Sequence, residues 1–206
     1  MRKFVASFAV LALIVSPAVA GEKYNNKITI GEKAPAFSGI PAVMGDQDAS
    51  LSLSDIKEDV VVLMFLANHS FESNAYEDRI VDLVGSIRLN VKFVGVCVTV
   101  AEGPKVVDDL EAIRERVKNR ALTFVYGYDE TQAIGRAYGA VRTPEFFVID
   151  KNRTVRYAGA FDDCNQPELV KSTYVKDAVS ALLAGKEVRK TSTKARGSVI
   201  SYPNSK

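Results

Sequence analysis

The sequence predicts an α/β domain in which a central mixed β-sheet is flanked by helices on both faces. Residues 60–66 and 91–100 are apolar runs rich in β-branched residues, as is typical of strands that are buried on both faces. Each run is followed by an amphipathic segment with helical spacing. Residues 145–149 and 154–158 flank a polar turn and predict an antiparallel hairpin. Alternating strands and helices that end in a hairpin and a last helix give this mixed architecture.

The elements form a strand–helix series without an internal repeat. Ser54 is predicted to cap a short helical turn ahead of the strand at 60–66. The first long helix starts at Ser70 or after Ser73, where Asn74 and Glu77 form a weak capping pair. The later segments are a helix ending near residue 88, a strand at 91–100, a helix at 106–119, an apolar stretch at 122–126, a helix at 130–138, the hairpin, and a helix at 167–184.

The first 20 residues have the composition of a secretory signal peptide. Arg2 and Lys3 form a charged start, residues 4–15 form an apolar run, and residues 18–20 read Ala-Val-Ala, a cleavage pattern. The apolar run is too short to span a bilayer, so we expect no integral membrane segment after cleavage. The sequence therefore predicts cleavage after Ala20, a periplasmic or secreted protein, one domain over residues 21–185, and a basic C-terminal tail over residues 186–206.

Charge is balanced overall but uneven along the chain. Without Arg2 and Lys3, the 27 basic residues fall to 25 and match the 25 acidic residues. The tail holds six basic residues and one acidic residue, which leaves the domain acidic. An acidic domain does not favour nucleic acid as a partner. Composition predicts a solvated tail rather than one bound to an acidic partner or to a membrane surface.

The junction between the strand at 60–66 and the next helix is the most informative place for function. It sets residues 70–73 at a helix N-terminus on the carboxyl edge of the sheet, where open α/β sheets keep their sites. Peptide N–H groups and the helix dipole favour an anion there, which in a thiol enzyme is a thiolate. His69 is the only histidine, and there is no phosphate loop, dinucleotide fingerprint or metal-ligand cluster, so we expect neither a metal nor a cofactor.

Four segments in order resemble the redoxins, the AhpC/TSA and TlpA-like branch of the thioredoxin superfamily: GEKAPAF, NHSFESNAYEDR, GRAYGAVRTPEFFVID and RYAGAFDD. The resemblance covers about residues 31–185. It implies a thioredoxin-like fold and an antioxidant family activity of thiol–disulfide exchange or peroxide reduction. It also implies NHCPxC in place of residues 68–73 and a Gly-Cys pair in place of Gly197-Ser198. The attacking cysteine then corresponds to Ser70 and the resolving cysteine to Ser73.

Serine at both reactive positions predicts a degenerate member of the family. A helix end lowers the pKa of a thiol, whereas a serine hydroxyl does not ionise there and forms no disulfide. A hydrolase built on Ser70 and His69 is disfavoured, because neighbours on an element do not face each other and an orienting partner is missing. Ser70 and Ser73 are interpreted as helix caps. Phe71 and Glu72 favour natural divergence over an engineered trap, because a minimal change would have left a proline at position 71.

Thr143 and Pro144 form the second family landmark. The resemblance implies a cis peptide bond that faces residues 70–73 and shapes a groove for an extended peptide. A groove that persists without thiols would bind a protein or peptide partner without reducing it. A non-catalytic binding protein that uses this groove is therefore one alternative to a redox enzyme.

The two cysteines are the remaining thiol candidates. In the thioredoxin strand order, Cys97 and Cys164 are three strand spacings apart, roughly 14 Å, whereas a disulfide needs Cα atoms within about 7 Å. We expect no disulfide between them, an apolar packing role for Cys97, and an idle or intermolecular thiol at Cys164. A one-cysteine redox protein that works through Cys164 or Cys97 is the other alternative. Four acids at turns and strand ends are expected to be solvated: Glu145, Asp150, Asp162 and Asp163.

Overall fold

A computed structural model describes residues 24–87, 89–99 and 108–203. The predicted signal peptide and its cleavage site lie outside these ranges. Within them, no helix has both the length and the apolar character that crossing a membrane requires.

The described residues form nine strands and four α-helices. The strands are β1 (Ile40–Met44), β2 (Gln47–Leu51), β3 (Val60–Phe65), β4 (Val91–Cys97), β5 (Val125–Tyr128), β6 (Arg142–Thr143), β7 (Glu145–Ile149), β8 (Val155–Gly159) and β9 (Ser198–Val199). The helices are α1 (Phe71–Ser86), α2 (Leu110–Asn119), α3 (Ala133–Tyr138) and α4 (Tyr174–Leu183). Short 3₁₀ turns cover Leu53–Asp55 and Pro167–Leu169.

Seven strands form one mixed sheet in the order β2-β1-β5-β4-β3-β7-β8. The central strand β3 is parallel to β4 on one side and antiparallel to β7 on the other. Its last residue, Phe65, lies opposite Glu145, the first residue of β7. The predicted mixed sheet is confirmed. The pairing also brings the strand–helix junction next to Pro144.

Alternating side chains along β3 divide the core into two layers. The even-numbered residues from 60 to 64 pack in the layer that contains α1, α2 and α4. The odd-numbered residues from 61 to 65 pack in the layer that contains α3. All of these side chains are at most 2% exposed. Both faces of the sheet are therefore covered, as a continuous apolar strand requires.

Three elements near the ends of the domain differ from the prediction. The final helix begins at Tyr174 rather than at 167, because Pro167 opens a separate 3₁₀ turn. The predicted cap at Ser54 is wrong, since Ser54 lies inside the first 3₁₀ turn and Ser52 holds the cap position without a side-chain hydrogen bond. The hairpin of β1 and β2 was not predicted, because β2 is an exposed edge strand of mostly polar residues.

The C-terminal tail packs on the domain. Thr193 and Ile200 are 8% and 7% exposed. Thr193 donates its N–H to the carbonyl oxygen of Ala158 at 3.1 Å, and β9 pairs antiparallel with β6. The prediction of a solvated tail is therefore wrong for residues 191–203. The charged side chains between residues 186 and 196 are exposed, whereas the backbone from 191 to 203 lies against the domain.

Candidate functional site

Ser70 is the N-cap of α1 at the carboxyl end of β3. Its Oγ accepts a hydrogen bond from the N–H of Ser73 at 3.1 Å. This contact selects the earlier of the two predicted helix starts and supplies the expected capping role. The Ser70 side chain is completely buried, at 0% exposed. The hydroxyl thus satisfies one of the N–H groups in the first helical turn that have no partner within the helix.

The Ser70 hydroxyl also contacts two segments that are distant in sequence. Its Oγ lies 2.9 Å from the carbonyl oxygen of Thr143 and 3.1 Å from the Oγ of Ser198. Ser198 donates its own proton to Oε2 of Glu72 at 2.6 Å. This hydrogen bond is the largest cause that lowers the pKa of Glu72, whose carboxylate is therefore ionised at neutral pH. Since a hydroxyl has one proton, Ser70 shares its proton between Thr143 and Ser198.

Ser73 does not face Ser70 through its side chain. Its Oγ accepts a hydrogen bond from the N–H of Ala67 at 3.3 Å. A cavity beside it has a volume of only about 10 Å³, which is room for one water. Ser70 instead contacts the hydroxyl of Ser198. Position 198 is the place in the tail at which the family resemblance implies a cysteine.

The Thr143–Pro144 peptide bond is cis, as predicted. Thr143 is 1% exposed, and its carbonyl oxygen is an acceptor for Ser70. The strand position beside it is filled by the chain's own tail, with Ser198 opposite Thr143 and Val199 opposite Arg142. A protein or peptide partner in this groove stays a prediction, and such a partner would have to displace the tail.

His69 pairs with Asp108 rather than with Ser70. Its Nδ1 contacts Oδ2 of Asp108, whose Oδ1 also accepts the N–H of Asn68 at 2.6 Å. The His69 side chain is 42% exposed and that of Asp108 is 3% exposed. The hydrogen bonds of the Ser70 hydroxyl do not involve the imidazole, which agrees with the expectation that the two adjacent side chains do not face each other. The expectation that His69 has no orienting partner is wrong, because Asp108 holds its Nδ1. Sequence reasoning missed Asp108, which lies 39 residues from His69 and belongs to no recognisable motif.

The two cysteines are free thiols, as expected. Cys97 is 0% exposed, and its Sγ lies 3.6 Å from the carbonyl oxygen of Asp108. Burial, followed by the nearby Asp108 carboxylate, raises the pKa of Cys97 to about 12. The thiol is therefore protonated at neutral pH, which argues against Cys97 as a working nucleophile.

Cys164 is half-buried on the loop that follows β8. Its N–H donates to Oδ1 of Asp162 at 3.2 Å, and its carbonyl oxygen accepts Nη1 of Arg79 at 3.0 Å. Arg79 also forms an ion pair with the buried carboxylate of Asp162. The Arg79 side chain thus fixes this loop to α1. None of the hydrogen bonds of the Ser70 hydroxyl involves Cys164.

Three of the four acids that were expected to be solvated are buried, so that expectation is wrong for them. Glu145, Asp150 and Asp162 are 3%, 7% and 2% exposed. Burial raises the pKa of Glu145 to about 7, although the N–H groups of residues 141 and 142 donate to its carboxylate. Asp150 accepts Nε of Arg156 at 2.7 Å and Asp162 pairs with Arg79. These acids hold backbone and guanidinium groups in place, which is why they tolerate burial.

Three exposed apolar side chains are next in sequence to residues of α1, β6 and β9 that join the tail to the domain. We call Phe71, Val141 and Val199 the site patch; they are 77%, 50% and 67% exposed. Phe71 follows Ser70, Val199 follows Ser198, and Val141 precedes β6. In the described part of the chain, no group of three or more His, Cys, Asp or Glu side chains could hold a metal ion.

Comparisons with known proteins agree with this fold. The model of the AhpC/TSA family matches residues 30–158. An uncharacterized conserved protein from Geobacillus kaustophilus is 26% identical over 88% of this chain and 96% of its own, with a TM-score of 0.76. A hypothetical protein from Sinorhizobium meliloti is 26% identical over 88% and 98%, with a TM-score of 0.74. A reduced 2-Cys peroxiredoxin from Plasmodium vivax shares the fold at 19% identity over 73% and 96%, with a TM-score of 0.51. No curated protein matches the chain.

Proposed function

Since this chain belongs to the AhpC/TSA family, we propose that it is an exported redoxin that has lost thiol chemistry and acts as a binding protein. One observation carries the proposal: position 70 holds oxygen instead of sulfur, is 0% exposed, and is engaged by the Ser73 N–H and the Thr143 carbonyl. Thiol–disulfide exchange begins with attack by an accessible thiolate. A buried hydroxyl that caps a helix supplies neither the charge nor the access.

The two remaining thiols support the same conclusion. Cys97 is buried, and the raised pKa of its thiol leaves almost no thiolate at neutral pH. Cys164 is a free thiol on a separate loop. An exchange cycle within one chain needs a second sulfur close to the first. With no bond between these two cysteines, the chain lacks an internal partner for either thiol.

The site patch supports binding. Phe71 is the first residue of α1 and is 77% exposed. Aromatic side chains contribute strongly to protein interfaces when a partner buries them. Val141, which precedes β6, is also exposed, at 50%. A partner that covers these side chains would remove apolar area from water. Export rests on the charged start, apolar run and cleavage pattern of residues 1–20.

Insulin reduction and peroxide consumption test the loss of redox chemistry. The exported chain, with dithiothreitol as the reductant, should show no turnover above buffer. The matched control is the double variant Ser70→Cys with Ser198→Cys, at the two positions whose side chains meet. It should gain turnover because the helix N-terminus stabilises a thiolate at position 70. Turnover by the parent that is abolished by Cys164→Ser would overturn the proposal and favour the one-cysteine alternative.

Cross-linking in an extract of the compartment to which the protein is exported tests the binding role. Phe71→Ser should abolish the cross-linked species that the parent forms. Leu89→Ser is the control, because Leu89 follows the other end of α1 and is 78% exposed, against 77% for Phe71. Equal loss in both variants would show nonspecific apolar adhesion and would count against the site patch. Cleavage after Ala20 is tested by the mass of the protein recovered from that compartment.

A further inference from the structure

The tail lies on the domain as an extended peptide lies in a binding groove. The N–H of Ile200 donates to the carbonyl oxygen of Val141 at 3.1 Å. Three side chains donate to carbonyl oxygens of the tail: Arg142 to Gly197 at 2.9 Å, Gln132 to Ser201 at 2.7 Å, and Arg136 to Pro203 at 2.6 Å. The Ile200 bond and the pairing of β9 with β6 are main-chain contacts of the kind that strand addition makes, in which alternate side chains supply specificity.

Side chains of the tail alternate between the domain and solvent. Ile200 is 7% exposed, and Ser198 and Tyr202 are half-buried. Val199 and Ser201, between them, are exposed. This is the period of two that a bound strand produces. The inward positions, 198, 200 and 202, are therefore those at which the groove can discriminate between sequences.

Each inward side chain has a matching feature on the domain. Ser198 donates to Glu72 at 2.6 Å. Ile200 packs in the core layer that contains α3. Tyr202 lies over Gly135 of α3, where a Cβ atom would be only 2.4 Å from the tyrosine hydroxyl oxygen. The groove thus accommodates a hydroxyl, a branched aliphatic side chain and an aromatic ring at alternate positions.

Gly197 is fixed by its close approach to the cis peptide bond. A Cβ atom at this position would lie 2.3 Å from the carbonyl oxygen of Thr143 and 3.0 Å from Cδ of Pro144. Its φ of +141° is also unfavourable for other residues. No side chain fits at this point, so the groove requires glycine immediately before the hydroxyl residue.

The segment that fills the groove is tethered at Thr193. The N–H of Thr193 bonds Ala158 at 3.1 Å, and its Oγ1 accepts the N–H of Ala160 at 2.9 Å. If residues 197–203 left the groove, this anchor would keep them close. A tether of this length maintains an effective concentration on the order of millimolar. A partner must therefore compete with a ligand that belongs to the protein itself.

We propose that residues 197–202 are a built-in ligand of the groove beside Thr143 and Pro144, and that the groove binds partner peptides of the same pattern, Gly-Ser-x-Ile-x-Tyr, when the tail leaves. The proposal rests on the binding role proposed above. It identifies the partner as an extended protein segment that has a glycine, then a small hydroxyl residue, then alternate aliphatic and aromatic side chains. The tail competes with that partner for the groove.

The full chain with Gly197→Ala releases the tail without changing the groove, because the new Cβ meets Thr143. Gly185→Ala is the matched control: its φ is also positive, at +66°, but nothing lies within 4 Å of a Cβ there. Hydrogen exchange at the N–H of Ile200 should accelerate at least tenfold in Gly197→Ala and stay unchanged in Gly185→Ala. Ile200→Asp is a second releasing variant that covers the case in which Gly197→Ala misfolds.

Binding is measured by fluorescence anisotropy with a labelled synthetic peptide, Ala-Arg-Gly-Ser-Val-Ile-Ser-Tyr-Pro, which copies residues 195–203. Gly197→Ala should bind it at least tenfold more tightly than the parent or Gly185→Ala, because its groove is empty. The same peptide with alanine in place of glycine should not bind to any variant.

Unchanged exchange at Ile200 in both releasing variants would overturn the proposal, as would a released tail with no gain in peptide binding. Equal binding of the glycine and alanine peptides would overturn the predicted pattern. The proposed function fails separately, through redox turnover of the parent protein, and that result would not depend on the position of the tail.

Discussion

A disulfide engineered between positions 70 and 198 tests the central contact of the site. The two Oγ atoms lie 3.1 Å apart, and the hydroxyl of Ser73 makes its contact with Ala67 instead. We therefore expect Ser70→Cys with Ser198→Cys to form an intramolecular disulfide under mild oxidation. The pair is made in a Cys164→Ser background, so that the only other thiol is the buried Cys97.

The size of the closed loop sets the expected gain in stability. Positions 70 and 198 are 128 residues apart, and the chain-entropy estimate for such a loop is about 5 kcal/mol. Positions 70 and 73 are only three residues apart, for which the same estimate gives about 2 kcal/mol. The oxidised 70–198 pair should thus raise the free energy of unfolding by about 3 kcal/mol more than an oxidised 70–73 pair.

Urea unfolding with and without dithiothreitol measures both gains, and mass mapping of nonreduced peptides identifies the bond. Strain in the bridge would reduce the gain without removing the bond. If oxidation instead links separate chains, or leaves both thiols at positions 70 and 198 free, then Ser198 does not face Ser70 in solution. The tail would then not dock against the N-terminus of α1, and the proposed groove would lose its ligand.

Two further predictions concern buried groups. The carboxyl of Glu145 has its pKa raised from 4.5 to about 7, so it stabilises the fold at low pH, and this contribution is lost as the pH rises through 7. Between pH 5 and 8 the parent should lose roughly 2 to 3 kcal/mol more stability than Glu145→Gln in urea unfolding, and parallel curves would refute the raised pKa. Cys97 should not react with a thiol reagent in the native protein and should react after unfolding, whereas rapid native labelling of two thiols would contradict its burial.

The sequence predicted the sheet and the strand–helix junction because local pattern determines both. Residues 60–65 are apolar throughout, and only a strand covered on both faces buries such a run. Ser70 has a side chain that caps a helix, and the amphipathic segment begins directly after it. The cis peptide bond at Thr143 was expected from the family resemblance, since local pattern alone does not indicate one.

The tail and the His69–Asp108 pair were not predicted, for a common reason. Both depend on contacts between residues that are far apart in the sequence, 128 residues for Ser70 with Ser198 and 39 for His69 with Asp108. The tail is also held largely through its main chain, and main-chain hydrogen bonds leave no compositional signal. Its exposed basic side chains therefore determined the prediction of a solvated segment.

Glu72 shows that the site suits hydroxyls rather than thiols. Its carboxylate lies 2.6 Å from the Oγ of Ser198 and accepts the proton of that hydroxyl. A negative charge at this distance would raise the pKa of a thiol at position 198 and oppose formation of a thiolate there. The same charge strengthens a hydrogen bond from a hydroxyl, which remains neutral. The acid at position 72 and the serines at 70 and 198 therefore form one hydrogen-bonded arrangement that joins the tail to the N-terminus of α1.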